Sequence, residues 1–155
     1  MDVVFISPGN STGVYQDLSN SYTAIEPPTW ALLLAQSCRA NGYEIIDANA
    51  EKLSKEAVAE RVAELNPRLV CFVVYGQNVN AGTTSMAGAL LLAEHLKKTG
   101  VEAPISFVGS HVQSLPIRVL EDESSIDFVF TNEGVYTLRN ILALDTINPT
   151  DMSDI

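Results

Sequence analysis

Cysteine is scarce in this sequence. Cys38 and Cys71 are the only two among 155 residues. Two are too few for a disulfide framework, and too few to hold an iron–sulfur cluster. Cys71 sits in an apolar run and reads as core. Positive charge is scarce as well: nine Lys and Arg face 19 Asp and Glu, a net charge of −10. Such a surface repels phosphate backbones and anionic lipid, which argues against nucleic acid and membrane as partners. No apolar run reaches the ~18–20 residues that cross a bilayer. Met1-Asp2-Val3-Val4 has no basic segment ahead of an apolar one, so no signal peptide is expected and the expected compartment is the cytoplasm. Repeats and low-complexity segments are missing. So are a P-loop, a dinucleotide-binding glycine motif, a Gly-x-Ser-x-Gly elbow and any His/Cys cluster with metal spacing.

What remains is a chain with 46% hydrophobic residues, enough for one packed domain. Short apolar runs alternate with segments of helical period. Val3–Ile6, Ile45-Ile46, Leu69–Tyr75, Ile105–Val108 and Ile126–Phe130 read as strands. Leu69–Tyr75 has no polar interruption, as in a parallel strand covered on both faces. Helices are expected at about 28–40, from Ser54 as N-cap to Pro67, at about 85–99 with Gly100 as C-cap, at about 114–122, and over Val135–Leu142. Alternating strands and helices predict a flavodoxin-like (Rossmann-like) three-layer α/β sandwich with a five-stranded parallel sheet of order 2-1-3-4-5. Residues 1–144 form the domain on this reading, and 145–155 a polar tail or linker.

Ligands of such sheets bind at the carboxyl edge, so the loops there are the candidates: 7–27, 75–84, 109–114 and 131–134. The first is far longer than the ~2–6 residues usual in α/β units, as a lid or as a plain surface insertion. Tyr75, Gly76, Gln77 and Asn78 offer backbone clearance and uncharged amides. They suit a large neutral ligand better than a free phosphate; turn and cap chemistry accounts for only part of the cluster. In Gly109-Ser110-His111, His111 reads either as a structural hydrogen-bonding residue or as a ligand contact. His95 lies among Glu94, Lys97 and Lys98 and reads as solvent-facing. Thr131-Asn132-Glu133-Gly134 opens the last helix, where Glu133 suits the helix dipole or ligand hydroxyls.

Taken in order, these phrases resemble a known family. Ile25-Glu26-Pro27-Pro28 leads into Trp30–Ala35. Asn41-Gly42-Tyr43-Glu44-Ile45-Ile46-Asp47-Ala48 follows. Then come Phe107-Val108-Gly109-Ser110-His111-Val112, Leu115-Pro116, and Ile126-Asp127-Phe128-Val129-Phe130-Thr131-Asn132-Glu133-Gly134. The set resembles the N-terminal cobalamin-binding domain of cobalamin-dependent radical SAM enzymes. Ser110 and Asn132 stand where that family usually has glycine, and Val135 where it has glutamate.

The resemblance implies cobalamin as cofactor. By the resemblance the corrinoid would be held base-off with no protein histidine on cobalt; the Asp-x-His-x-x-Gly motif, whose histidine ligates cobalt, is absent after the first strand. Its detached tail would run beside strands four and five against Gly109, Ser110, His111 and Thr131–Gly134. Its ring would lie near Tyr75, Gln77 and Asn78. The radical SAM half, with its cysteine motif, is not in this chain. The chain is therefore not an enzyme by itself, carries no iron–sulfur cluster, and has a radical SAM catalytic domain as partner in cis or in trans. Two alternatives stand beside this reading: a flavodoxin-like FMN electron carrier, since Asn10–Tyr15 is faintly similar to an FMN phosphate loop, and a ligand-free interaction module of the same fold.

Overall fold

A computed structural model describes residues 1–8, 25–76 and 79–151. The expected long first loop falls mostly in 9–24, outside the described residues, as do Gln77 and Asn78.

Five strands form one sheet: β1 (Val3–Ser7), β2 (Tyr43–Asp47), β3 (Leu69–Val73), β4 (Ile105–Val108) and β5 (Phe128–Phe130). Their order is β2-β1-β3-β4-β5, and every pairing is parallel, as expected. Phe5 lies opposite Ile45 on one side and Cys71 on the other. All five residues of β3 are buried. Each large apolar side chain so buried contributes about 1.5–3 kcal/mol, which is why the sequence shows this strand most clearly.

Period-2 alternation sorts the strand side chains into two layers. On the first face lie Val4, Ile6, Ile46, Val70, Phe72, Ile105 and Phe107. They are covered by α2 (Lys55–Leu65), α3 (Val79–Lys98), α4 (Ser110–Ser114) and α5 (Pro116–Asp122). The second face presents Val3, Phe5, Leu69, Cys71, Val73, Val108 and Phe130 to α1 (Thr29–Ser37) and α6 (Val135–Leu142).

Helix ends follow local chemistry. Ser54 Oγ accepts the Ala57 N–H at 3.2 Å, and Asn66 closes α2 in the left-handed region before Pro67. Gly100 (φ +88°) lets the chain turn after α3. The Asp127 carboxylate accepts the Ile105 N–H at 2.6 Å and pairs with Lys97 Nζ at 2.7 Å. It thus ties the start of β4 to the end of α3, which gives Asp127 a structural reason.

Three expectations need correction. The helix expected from about Ser85 begins at Val79, so the carboxyl-edge loop after β3 is much shorter than 75–84. The residues 109–114, expected as loop, hold the short helix α4. His95 is only partly exposed, and its Nε2 is buried with no hydrogen-bond partner among the described residues. Strands β2 and β5 also shift by about two residues at their ends, the usual uncertainty of sequence-read boundaries.

Candidate functional site

At the carboxyl edge, the backbone just after β3 is the hub. The Val74 N–H continues the ladder to the Val108 carbonyl at 2.8 Å. Its own carbonyl oxygen is crowded from two sides. A Cβ built on Gly109 would collide with it, standing 2.8 Å from the Val74 carbonyl carbon. A Cβ on Gly82, inside α3, would sit 2.6 Å from Ser110 Oγ and 3.3 Å from the Val74 oxygen. Glycine at both positions lets α3 and the β4–α4 turn close on the end of β3. That explains the early start of α3: close packing of a small residue outweighs the weak helix propensity of Gly82, Thr83 and Thr84.

Ser110 Oγ is buried here and has no hydrogen-bond partner among the described residues. The hydroxyl of Ser110 faces α3, on the first face of the sheet. His111, beside it on α4, is half-buried.

Tyr75 goes to the opposite layer. It packs against the second core and stacks on Trp30, with ring centroids 4.6 Å apart and 28° between planes. Burial pushes its phenol pKa above the ordinary value, and the Glu133 carboxylate nearby adds to the rise. Glu133 itself is exposed, like Thr131 and Asn132, while Gly134 is buried. Gly134 (φ +75°) starts α6 without a side-chain cap, and a Cβ there would lie 2.7 Å from the Phe130 ring.

The expected site residues therefore form two groups along the carboxyl ends of β3, β4 and β5. Gly76, Gly109, Ser110 and His111 gather toward α3 and α4. Tyr75 packs on the second layer, and Glu133, in the turn Thr131–Gly134 after β5, is near enough to raise its pKa. Two further residues belong to this edge. Gly82, expected like Gly76 to allow close backbone approach, does so from inside α3 and not from a loop. Trp30 was read only as part of the α1 sequence, although the single tryptophan of the chain stands in the first turn after the longest loop.

Chemically, the edge offers hydroxyl, amide and backbone donors, with the Glu133 carboxylate exposed among them. Among the described residues no group of three or more His, Cys, Asp or Glu could hold a metal ion. The second layer mixes small side chains, Ala31, Ala35, Cys38 and Cys71, with the large ones of Phe5, Leu34, Leu69 and Phe130. The hydroxyl and amide groups of this edge fit a large amide-bearing ligand. The glycines fit it less well, since protein atoms already occupy the space that Gly109 and Gly134 clear.

Comparison with known proteins agrees with the fold. The family model for the B12-binding domain matches residues 15–142. The chain belongs to the B12-binding domain family. It is 27% identical over 149 residues to the anaerobic magnesium-protoporphyrin IX monomethyl ester cyclase of Cereibacter sphaeroides. That match covers 92% of this chain and 22% of the cyclase, so the chain spans less than a quarter of that relative's length. No solved structure matches the chain significantly.

Proposed function

We infer that this chain is a cobalamin-binding module of, or related to, a radical SAM methyltransferase-type enzyme. The observation that carries the reading is the family match over 15–142 on a sheet whose carboxyl edge presents uncharged donors. The corrinoid is held base-off, with no protein histidine on cobalt. Its ring lies over the Tyr75–Asn78 segment, and its tail passes Gly109, Ser110, His111 and Thr131–Gly134. When bound, the group supplies a cobalt centre able to carry a carbon fragment. The chain's own part is to bind it, orient it and shield one face from water. The reaction itself belongs to a radical SAM catalytic domain, in cis or in trans, in the cytoplasm. That the relative is a cyclase of which this chain covers 22% supports a module working beside a larger catalytic part.

The test is direct. Purified chain is mixed with hydroxocobalamin at micromolar concentration near neutral pH and desalted. A retained corrinoid band with about one equivalent bound is expected; loss of the band sinks the reading. Electron paramagnetic resonance of the reduced, cob(II)alamin-loaded chain should then show no splitting from an axial nitrogen. A second reading, the ligand-free interaction module, is favoured by the filled space at Gly109 and Gly134. Failure to retain any corrinoid, with the chain folded, supports it.

A further inference from the structure

The outer sides of α1 and α2 differ in kind. α2 turns Glu56, Glu60 and Glu64 outward, as a helix facing water does. α1 buries Ala31, Leu34, Ala35 and Cys38 against the sheet and leaves Thr29, Leu32, Leu33 and Gln36 exposed. The two leucines are 51% and 54% exposed. Tyr136, 79% exposed on the adjoining α6, extends this apolar ground. From Pro27 to Cys38 no residue is charged. Charge resumes at each end, with Glu26 just ahead of the helix and Arg39 just after it. Both are exposed, and neither takes part in an ion pair among the described residues. Uncharged faces of this kind on otherwise charged proteins mark interaction sites.

We propose that this face pairs two copies of the chain, α1 against α1, antiparallel about a twofold axis that passes between Leu32 and Leu33. That axis sets Leu32 of one protomer opposite Leu33 of its partner, Thr29 opposite Gln36, and Glu26 opposite Arg39. A twofold interface uses one patch twice, so the patch must be complementary to itself, and this one is. Opposite charges meet at both rims. A parallel pairing would set Glu26 on Glu26 and Arg39 on Arg39. With a net charge of −10 each, two chains repel, and an uncharged strip is where they approach at least cost. α1 follows β1, so it starts at the carboxyl edge and runs back along the sheet. Antiparallel pairing therefore points the two carboxyl edges in opposite directions and leaves both candidate sites open. One short helix with a fringe of α6 makes a small interface, so the dimer is a weak one, of micromolar affinity.

Sedimentation equilibrium of the purified chain, from micromolar to submillimolar concentration, tests this. Wild type is compared with Leu33→Glu, Glu26→Arg, Arg39→Glu and the double exchange Glu26→Arg/Arg39→Glu, with circular dichroism to establish folding. Ile117→Glu is the control for general surface stickiness, since Ile117 is 72% exposed on α5. Wild type should dimerise within this range. Leu33→Glu, which places two unpaired carboxylates at the axis, should raise the Kd about a hundredfold. Each single exchange sets like charges together at both rims and should weaken the dimer about tenfold. The double exchange restores opposite pairs and should return to within about threefold of wild type. Ile117→Glu should leave the Kd unchanged. A wild type that stays monomeric throughout overturns the proposal. So does a dimer that survives in folded Leu33→Glu, one that Ile117→Glu disrupts, one that the single exchanges leave intact, or a double exchange no tighter than the singles. The measurement reads mass and not corrinoid, so its failure and that of the cobalamin reading are separable.

Discussion

The two faces of the sheet are built from the same strands and differ sharply. On the first face, β3 and β4 present Phe72 and Phe107, stacked with centroids 4.7 Å apart under four helices. One residue away along each strand, the second face presents Cys71 and Ser106 under two helices. Large interlocking rings hold one fixed packing. Small side chains tolerate rearrangement, because fewer atoms must move together. The contrast is local to the centre of β3 and β4, since the second face buries large rings of its own, Phe5 and Phe130.

The largest expected effect breaks this contrast directly. Phe107→Ala should destabilise the chain by about 3–5 kcal/mol, the usual result for a buried ring. Ser106→Ala, its neighbour, loses one hydrogen bond to the Val70 carbonyl at 3.3 Å and should cost only about 0.5–1.5 kcal/mol. Urea unfolding of both variants checks the pair. Equal losses would erase the distinction between the faces.

Next in size is the glycine turn that links the faces. Gly109→Ala drives a methyl into the Val74 carbonyl, an overpacking worth about 1–3 kcal/mol or more. Gly100→Ala is the matched control. It has nothing within 4 Å and bears only the strain of φ +88°, about 1–2 kcal/mol. A melting temperature that falls further for Gly109→Ala than for Gly100→Ala would confirm that backbone approach, rather than left-handed strain, selects glycine at the end of β4.

The sequence was read best where one face or both faces of a segment are buried. The strands, their order and the N-cap Ser54 follow from apolar runs and helical periods that tertiary packing reinforces. The reading failed where packing overrides propensity. Gly82 and Thr83 look like a loop, but α3 needs a residue without a side chain to press against Ser110 and Val74. Ser110–Ser114 is one helical turn, too short to show a period. His95 sits in a charged stretch, yet its Nε2 is buried with no partner among the described residues. At the site, the residues of the carboxyl edge could be named from strand ends. Their division between two faces could not, because a one-residue difference in alternation decides it: Tyr75 goes one way, and Gly76 stands toward Ser110 on the other.

The cysteines sharpen the view of the second face as adaptable yet dry. Burial pushes the Cys71 thiol up to about 12 and raises Cys38 as well. The thiolate is the reactive form, so both should resist a thiol-specific reagent at neutral pH in the native chain and react fully in urea. If Cys38 reacts natively, α1 lifts from the sheet often enough to admit the reagent.

The smallest effect lies at the opposite, amino edge, where the same face is fastened. Arg68 pairs with Asp2 at 3.3 Å and donates to the carbonyls of Leu142, Leu144 and Asp145, which hold the segment after α6. The Asp2 carboxylate also accepts the Gly42 N–H at 2.8 Å. That hydrogen bond, with help from Arg68, lowers the Asp2 pKa below its ordinary 3.8. A group depressed on folding adds stability above its unfolded value, and that stability fades as pH falls through the folded value. The window is therefore below 3.8. Because the carboxylate and guanidinium are each about a third exposed, the contribution should stay under about 1 kcal/mol after solvent screening. Asp2→Asn keeps an acceptor for Gly42 and discards the charge. Its stability should lie slightly below wild type at pH 7 and converge with it toward pH 2 in acid titrations of unfolding. A gap that persists at pH 2 would mean that Asp2 acts by shape alone, and the amino-edge fastening of the second layer would then fall to Arg68 and its carbonyls.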